Sequence, residues 1–326
     1  MKRILVLAIF FAIGFLMTMA QDYSRYVDPR IGSEGLGRTF PGPCMPYGMA
    51  KPGPDAVSMP NAGWAPMPEP VKGFSQMHVS GTGGGQKYGN ILIQPFLEAG
   101  EIIQKRVDEK IALGYYACTF ENGIRTEITA SERCAFYRLD YGRKQKGKLL
   151  VDVATFLGID TIPDKRETQQ YVDSYVTCDG KYAVSGWSTV RGGWNNGGPY
   201  TVYFYLQSDA PLSNCDAPLS NSYASLYNKV KESKTRLDVA FSKSIVNLKV
   251  GISHISIDQA RKNIPACGFD TQLKNVRKTW NEKLGKIEIS GTEKQKRMFY
   301  TALYHTMLMP VDKSGENPHF SATPYY

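Results

Sequence analysis

The sequence predicts a mainly β protein, an antiparallel β-sandwich that is followed by helices. Between residues 90 and 255, short runs of alternating apolar and polar residues are separated by turn residues, with no helical spacing between them. Short strands joined by turns are typical of sandwiches and barrels. After residue 256 the apolar spacing changes to that of helices.

The predicted strands follow one another along this region. Asn122-Gly123 between two alternating runs predicts a hairpin, because both central residues of such a turn take a positive φ. The runs that we assign to strands are 89–96, 110–120, 124–130, 133–141, 148–155, 171–178, 181–190, 200–207, 235–241 and 246–250.

Three helices are predicted at the C-terminal end. Ser256 with Gln259 forms a capping box that opens a short helix, and 270–284 has its apolar residues on one face. A third helix is capped by Thr292 and Gln295, and its apolar face covers about half of its girth. Such a face needs partners on several sides, and the short polar tail cannot supply them. We therefore expect that the sequence is cut before a second domain.

The N-terminus and the composition indicate an exported protein. Lys2 and Arg3 precede an apolar run and small residues, so 1–20 is predicted to be a secretory signal peptide. The run is short for a bilayer span, and we expect no stable membrane insertion after cleavage. The formal charge of +9 is scattered over 326 residues without a basic helix, so nucleic acid is not an expected partner.

Six cysteines lie far apart and form no Cys-x-x-Cys pair, which argues against a zinc or redox motif. Export makes disulfides possible. We expect at most one, and the sequence leaves its pairing open.

The stretch 38–89 contains glycine and proline every few residues, so we expect neither a helix nor a central strand in it. It also carries Phe40, Trp64 and His78, large side chains that argue against disorder. A long irregular segment of this kind inside a compact domain is usually functional. We interpret it as the wall of a site, with the glycine-rich run 80–85 as a flexible lip.

The same stretch resembles a known family. It reads TFPGP-xx-PYGM and then GFSQMHVSGTGGG, which is similar to the N-terminal signature of glycoside hydrolase family 92, the bacterial calcium-dependent exo-α-mannosidases. Arg38 and Gln76 stand where the family commonly has histidines, and Lys87-Tyr88 lies near a usual aspartate. The resemblance extends from residue 26 to 326.

The resemblance implies a β-sandwich, a helical linker and an (α/α)6 catalytic barrel. The expected domains are 1–20 signal peptide, 21–255 sandwich, 256–291 linker and 292–326 the start of a truncated catalytic domain with the first barrel helix. It also implies an inverting α-mannosidase, periplasmic or secreted, that acts on mannose-containing glycans or glycoproteins. Calcium is the implied cofactor of the complete enzyme. The resemblance places most calcium ligands, the catalytic acid and the catalytic base outside this chain.

Substrate-binding residues are expected in the 38–89 stretch. Trp64 offers a flat apolar face for a pyranose, and His78 offers a polar edge. Phe40, Gly81 and Gly83 complete the predicted set, in which the glycines let a ligand approach the backbone. We predict that Trp64 and His78 face one cleft.

No catalytic or metal-binding residue is predicted within the chain. Asp55 and Glu69 are the only acids in the 38–89 stretch, and nothing suggests that they act as the carboxyl pair of a glycosidase. His254 and His305 are expected to be structural. The sequence shows no cluster with metal-ligand spacing.

Two questions stay open at this point. A second glycine-rich loop, 191–198, holds Trp194 and follows a strand with Trp187; it is either a hairpin with a packed tryptophan or a ligand-facing loop. The alternative function is a non-catalytic carbohydrate-binding β-sandwich.

Overall fold

The computed structural model of the protein describes most of the chain. The described residues are 21–35, 37–60, 62–81, 87–98, 102–142, 146–158, 168–193, 196–215 and 235–318.

Fourteen strands are present among the described residues. They are β1 (Gly53–Ala56), β2 (Val71–Ser75), β3 (Leu92–Phe96), β4 (Arg106–Ala112), β5 (Tyr115–Phe120), β6 (Arg125–Ala130), β7 (Cys134–Asp140), β8 (Lys148–Asp152), β9 (Gln169–Cys178), β10 (Ala183–Gly192), β11 (Tyr200–Ser208), β12 (Leu212–Ser213), β13 (Arg236–Phe241) and β14 (Ile245–Ser253).

The strands form two antiparallel sheets with one core. A six-stranded sheet has the order β1-β2-β3-β8-β13-β12, and an eight-stranded sheet has the order β4-β5-β6-β7-β14-β11-β10-β9. Side chains alternate between the core and the outside, as in β11, where Val202 and Phe204 are buried and Tyr203 is half-buried. Buried residues of both sheets form the main core cluster. The predicted antiparallel sandwich is thus confirmed.

Two details differ from the sequence prediction. The run 110–120 is not one strand: Gly114, at a φ of 69°, makes a tight turn that separates β4 from β5. The 38–89 stretch also contains two short strands. Pro54 is tolerated there because β1 is the edge of its sheet, where a missing N–H costs no ladder bond.

Among the described residues, α-helices begin only after the last strand, as predicted. They are α1 (Ile257–Lys262), α2 (Phe269–Leu284) and α3 (Glu293–Thr306). The Ser256 side chain accepts a hydrogen bond from the Gln259 N–H, and Thr292 and Gln295 form a reciprocal capping box. Within the described part of the chain, no helix is long and apolar enough to cross a membrane.

The apolar face of α3 finds more partners than the sequence suggested. Tyr300 stacks on Tyr26, which lies in a short 3-10 helix (Ser24–Tyr26) near the N-terminus. Tyr304 packs against Trp280 of α2. The partners come from segments that precede the helix, which periodicity alone does not reveal; Met298 stays 63% exposed.

One disulfide joins Cys178 at the end of β9 to Cys215, at a sequence separation of 37. The other four cysteines, all described, are free. This agrees with the expectation of at most one disulfide.

We predict that replacing Cys178 and Cys215 together by serine lowers the free energy of unfolding by about 3–4 kcal/mol, because the unfolded chain regains the entropy of an open loop. Urea unfolding with and without dithiothreitol measures this change. Cys267→Ser, at a free and half-buried cysteine, is the control. Equal midpoints for wild type and the double variant would show that the cross-link does not stabilise the fold.

Candidate functional site

Backbone strain is concentrated in and beside the 38–89 stretch. Five of the seven described non-glycine residues with positive φ lie there or directly after it: Arg38, Tyr47, Met59, Tyr88 and Ile91. For a β-branched residue such as Ile91 this conformation is a genuine outlier. Strained residues persist only where surrounding contacts hold them, and they cluster at functional sites.

His78 is the centre of the hydrogen bonds that hold this stretch. Its Nε2 lies 2.7 Å from Asp55 Oδ1, and its Nδ1 lies 2.7 Å from the carbonyl oxygen of Lys51. The Ser75 hydroxyl also donates to Asp55 at 3.0 Å. Neither the imidazole nor the carboxylate is exposed beyond 1%. The imidazole therefore links Asp55 of β1 to the backbone carbonyl of Lys51, which precedes that strand.

The other predicted binding residues have structural partners as well. Phe40 is fully buried and stacks on the His78 ring, with centroids 4.8 Å apart. Trp64 is 3% exposed and donates its indole N–H to Glu109 Oε1 at 3.1 Å. Gly81 is exposed, and its N–H donates to the carbonyl of Arg38. Gly83 lies outside the described residues.

The expected cleft between Trp64 and His78 is thus not what the structure contains, because both side chains are buried. Both rings are buried beside a carboxylate, which is stable in the interior only with a hydrogen-bond donor next to it. His78 is the partner of Asp55, and Trp64 donates to Glu109. A direct contact of either ring with sugar stays a prediction. The geometry supports a positioning role, in which they hold the shape of the stretch.

A groove of about 600 Å³ opens beside the end of this stretch. It lies where the outer face of the eight-stranded sheet meets the segment after α3. Its lining residues are Tyr88, Pro199, Tyr200, Thr201, Tyr203, His254, Lys313, Glu316, Asn317 and Pro318.

Aromatic rings form the wall of this groove. Tyr88 meets Tyr200 edge to face at 5.7 Å, and Tyr200 meets His254 at 6.4 Å. The Lys313 ammonium lies 5.4 Å from the centroid of Tyr88 and donates to its hydroxyl at 3.3 Å. Tyr88, whose ring forms part of this wall, has a backbone φ of 63°.

Glu316 fixes the segment that forms the opposite wall. Its buried carboxylate accepts hydrogen bonds from the Ser253 hydroxyl at 2.6 Å, the His254 N–H at 2.7 Å and Asn263 at 3.0 Å. Arg133 lies 3.4 Å away. These contacts join the end of β14, the start of the helices and the segment after α3 in one place.

Two basic groups near the groove are perturbed by burial. Desolvation, with a smaller effect from Lys313, lowers the pKa of His254; its Nδ1 bonds the Thr201 carbonyl, and its Nε2 has no partner. Desolvation also lowers the pKa of Lys51 to about 8. The Lys51 ammonium is 1% exposed and donates to the carbonyl of Gly48.

The groove can bind a hydroxyl-rich ligand, but it holds no catalytic pair. Of its described lining residues, only Glu316 is a carboxylate, and both of its oxygens are already engaged. Glycoside hydrolysis needs two carboxyl groups across the scissile bond. The described residues also contain no group of three His, Cys, Asp or Glu that could hold a metal ion, so they do not supply a calcium site of that kind.

The structure thus joins a β-sandwich to helices, with a groove lined by aromatic and hydroxyl groups near the junction. Residues 26–253 match the glycosyl hydrolase family 92 N-terminal domain, and 257–326 match the catalytic domain of that family. The chain therefore belongs to glycosyl hydrolase family 92, and the sequence resemblance is confirmed.

Relatives and solved structures agree with this assignment. An uncharacterised secreted glycosidase from Arthroderma benhamiae is 29% identical over 338 residues, covering 94% of this chain and 44% of that protein. A family 92 alpha-mannosidase from Bacteroides thetaiotaomicron, in complex with mannoimidazole, has a TM-score of 0.73 at 23% identity, over 90% of this chain and 41% of that one. A family 92 inverting mannosidase from the same organism has a TM-score of 0.67 at 23% identity, over 90% and 40%. The chain thus spans less than half of the length of each, and the structural likeness concerns the fold.

Sequence reasoning missed most residues of the groove. Tyr88, Tyr200, Lys313 and Glu316 come from distant parts of the chain, and no motif links them. His254 was expected to be structural; it does bond the Thr201 carbonyl, but it also lines the groove. The one signal in the sequence is Tyr88, because Lys87-Tyr88 lies near a position where the family usually has an aspartate.

We predict that wild type becomes more stable relative to Lys51→Met as the pH rises from about 8 to about 10.5. In this window the folded protein has lost the Lys51 proton while the unfolded chain still binds it, so the free energy of unfolding rises with pH, by about 3 kcal/mol in total. Urea unfolding across this pH range measures it. Lys274→Met, at an exposed lysine, controls for the substitution itself. A pH-independent difference would contradict the prediction.

We also predict that His78→Ala lowers the free energy of unfolding by about 3–5 kcal/mol, because the Asp55 carboxylate stays buried without its imidazole partner. His254→Ala is the matched control, since only one of its ring nitrogens is bonded. Chemical unfolding compares the two. A stability unchanged in His78→Ala, together with a loss of mannoside hydrolysis in the complete protein, would favour direct sugar contact instead.

Proposed function

We propose that this chain is the N-terminal part of an exported α-mannosidase that removes mannose from glycans or glycoproteins. The observation that carries the proposal is the consecutive match of 26–253 and 257–326 to the two domains of one glycosidase family. The mannosidases with the same fold support mannose as the sugar. The secreted relative supports export, as does the predicted signal peptide, which lies outside the described residues.

In this proposal the sandwich and the linker bind and orient the glycan and do not cleave it. The groove supplies ring faces from Tyr88 and Tyr200, and the His254 ring lies in its wall with Nε2 buried. Burial lowers the pKa of His254 and favours its neutral form, so the imidazole adds no charge to this wall. Lys313 adds an ammonium donor at the same wall.

The chemistry would come from residues outside this chain. We propose that the acid, the base and most calcium ligands belong to the rest of the catalytic domain. An inverting reaction is proposed by analogy with the inverting mannosidase of Bacteroides thetaiotaomicron that has the same fold. Such a reaction needs carboxyl groups about 6.5–9.5 Å apart, with a water between the base and the sugar. Calcium, when bound, would polarise and orient sugar hydroxyls.

A second candidate is a carbohydrate-binding sandwich without activity. The lack of a carboxyl pair among the described groove residues favours it for this chain taken alone. The two candidates differ in whether a protein that contains the whole catalytic domain releases mannose.

We predict that the 326-residue chain releases no mannose from 4-nitrophenyl α-mannoside or α-mannobiose. A protein that continues through the catalytic domain should release it, with inversion at the anomeric carbon and with loss of activity in EDTA. Anomer-resolved NMR of the product measures both properties. Mannose release by the short chain would overturn the division of roles, and an inactive long protein that still binds mannan would favour the second candidate.

A further inference from the structure

Three aromatic side chains form a row across the outer face of the eight-stranded sheet. Trp187 on β10 pairs directly with Tyr203 on β11 and with Tyr175 on β9. Directly opposed residues of antiparallel strands point to the same face, and adjacent strands lie about 4.8 Å apart. The row therefore crosses three consecutive strands, the last of which is the edge of the sheet.

Burial shows that this row faces outward. The neighbours of Trp187 along its strand, Gly186 and Ser188, are buried, while Trp187 and Tyr203 are half-buried and Tyr175 is 40% exposed. The next outward residue on β11, Tyr205, is only 9% exposed, because Arg261 of α1 lies 5.3 Å from its ring centroid. Among the described residues, α1 covers that adjacent position and leaves the aromatic row accessible.

The residues beside the row are mainly neutral and carry hydroxyl groups. On one side, Thr189 pairs with Thr201, and their hydroxyls lie 2.8 Å apart. On the other side, Thr177 of β9 is half-buried, while its partner Ser185 is buried. Asp173, opposite Thr189, adds one exposed acid. Flat apolar rings bordered by hydroxyls match a ligand that has both C–H faces and hydroxyl groups, which is the chemistry of a neutral pyranose chain.

The row is continuous with the groove. Tyr203 and Thr201 belong to the groove lining as well as to the row and its border. A chain of sugars whose end lies in the groove at Tyr200 would therefore pass Tyr203 and Trp187 towards the edge of the sheet.

We propose that Tyr175, Trp187 and Tyr203 form a docking platform for a neutral glycan chain, outside the groove and continuous with it. The choice of a glycan rests in part on the proposed function, but binding by the platform does not require hydrolysis. The platform gives Trp187, on the strand before the glycine-rich loop 191–198, a ligand-facing role.

Affinity electrophoresis in soluble yeast mannan tests this proposal on the full chain. We expect wild type to be retarded, and Trp187→Ala and Tyr175→Ala each to weaken binding by about tenfold. Tyr182→Ala removes an exposed tyrosine outside the row and should bind as wild type does. Trp187→Phe, which keeps an aromatic face, should restore most of the affinity. Circular dichroism melting of each variant checks that the fold is kept.

Several outcomes would overturn the platform. They are a wild type that does not bind mannan in the gel, a Trp187→Ala variant that binds as tightly as wild type, and a Tyr182→Ala variant that loses as much affinity as Trp187→Ala. A change from dimer to monomer in Trp187→Ala, seen by analytical ultracentrifugation, would assign the row to a contact between copies instead. Failure of the proposed function is separate: a long protein without mannosidase activity, whose chain still binds mannan through Trp187, leaves the platform standing.

Discussion

The irregular stretch at the start of the sandwich depends on one buried pair, Asp55 and His78. A segment rich in glycine and proline satisfies only part of its backbone groups through regular ladders, here between β1 and β2, so other polar groups need side-chain partners. The imidazole does this on two sides, because it bonds the Asp55 carboxylate and the Lys51 carbonyl at 2.7 Å each. Phe40 covers its face. The desolvation of a carboxylate is offset only by close partners, so the geometry of the stretch is held by a small number of contacts.

The groove is a consequence of that anchoring. Once β1 and β2 are fixed, the chain leaves the stretch through Tyr88 and Ile91, both at positive φ. At this exit the Tyr88 ring lies beside Tyr200 and under Lys313. The opposite wall depends on Glu316, whose carboxylate joins sandwich, linker and the segment after α3. The shape of the groove is therefore sensitive to how the helical part sits on the sandwich.

In the proposed function, this chain contributes binding and the rest of the protein contributes the chemistry. Its described surface offers aromatic rings and hydroxyls that suit contacts with sugars, while Glu316, the one carboxylate among the described groove residues, is engaged in structural contacts. This agrees with a family whose members continue well beyond the length of this chain. A platform of aromatic residues on the outer sheet would extend such binding over several sugar units without adding any reactive group.

The sequence by itself determined the antiparallel sandwich, the place where helices begin and the family, because alternation, capping boxes and the 38–89 motif are local signals. It identified His78, Trp64 and Phe40 as special, but it could not tell that they are buried, since a large side chain in a loop looks the same whether it packs inward or faces a ligand. Only the tertiary structure decided the groove and the aromatic row. Both depend on register and on contacts between residues far apart in the chain, such as Tyr88 with Lys313 or Tyr175 with Trp187 and Tyr203, and no local pattern encodes these.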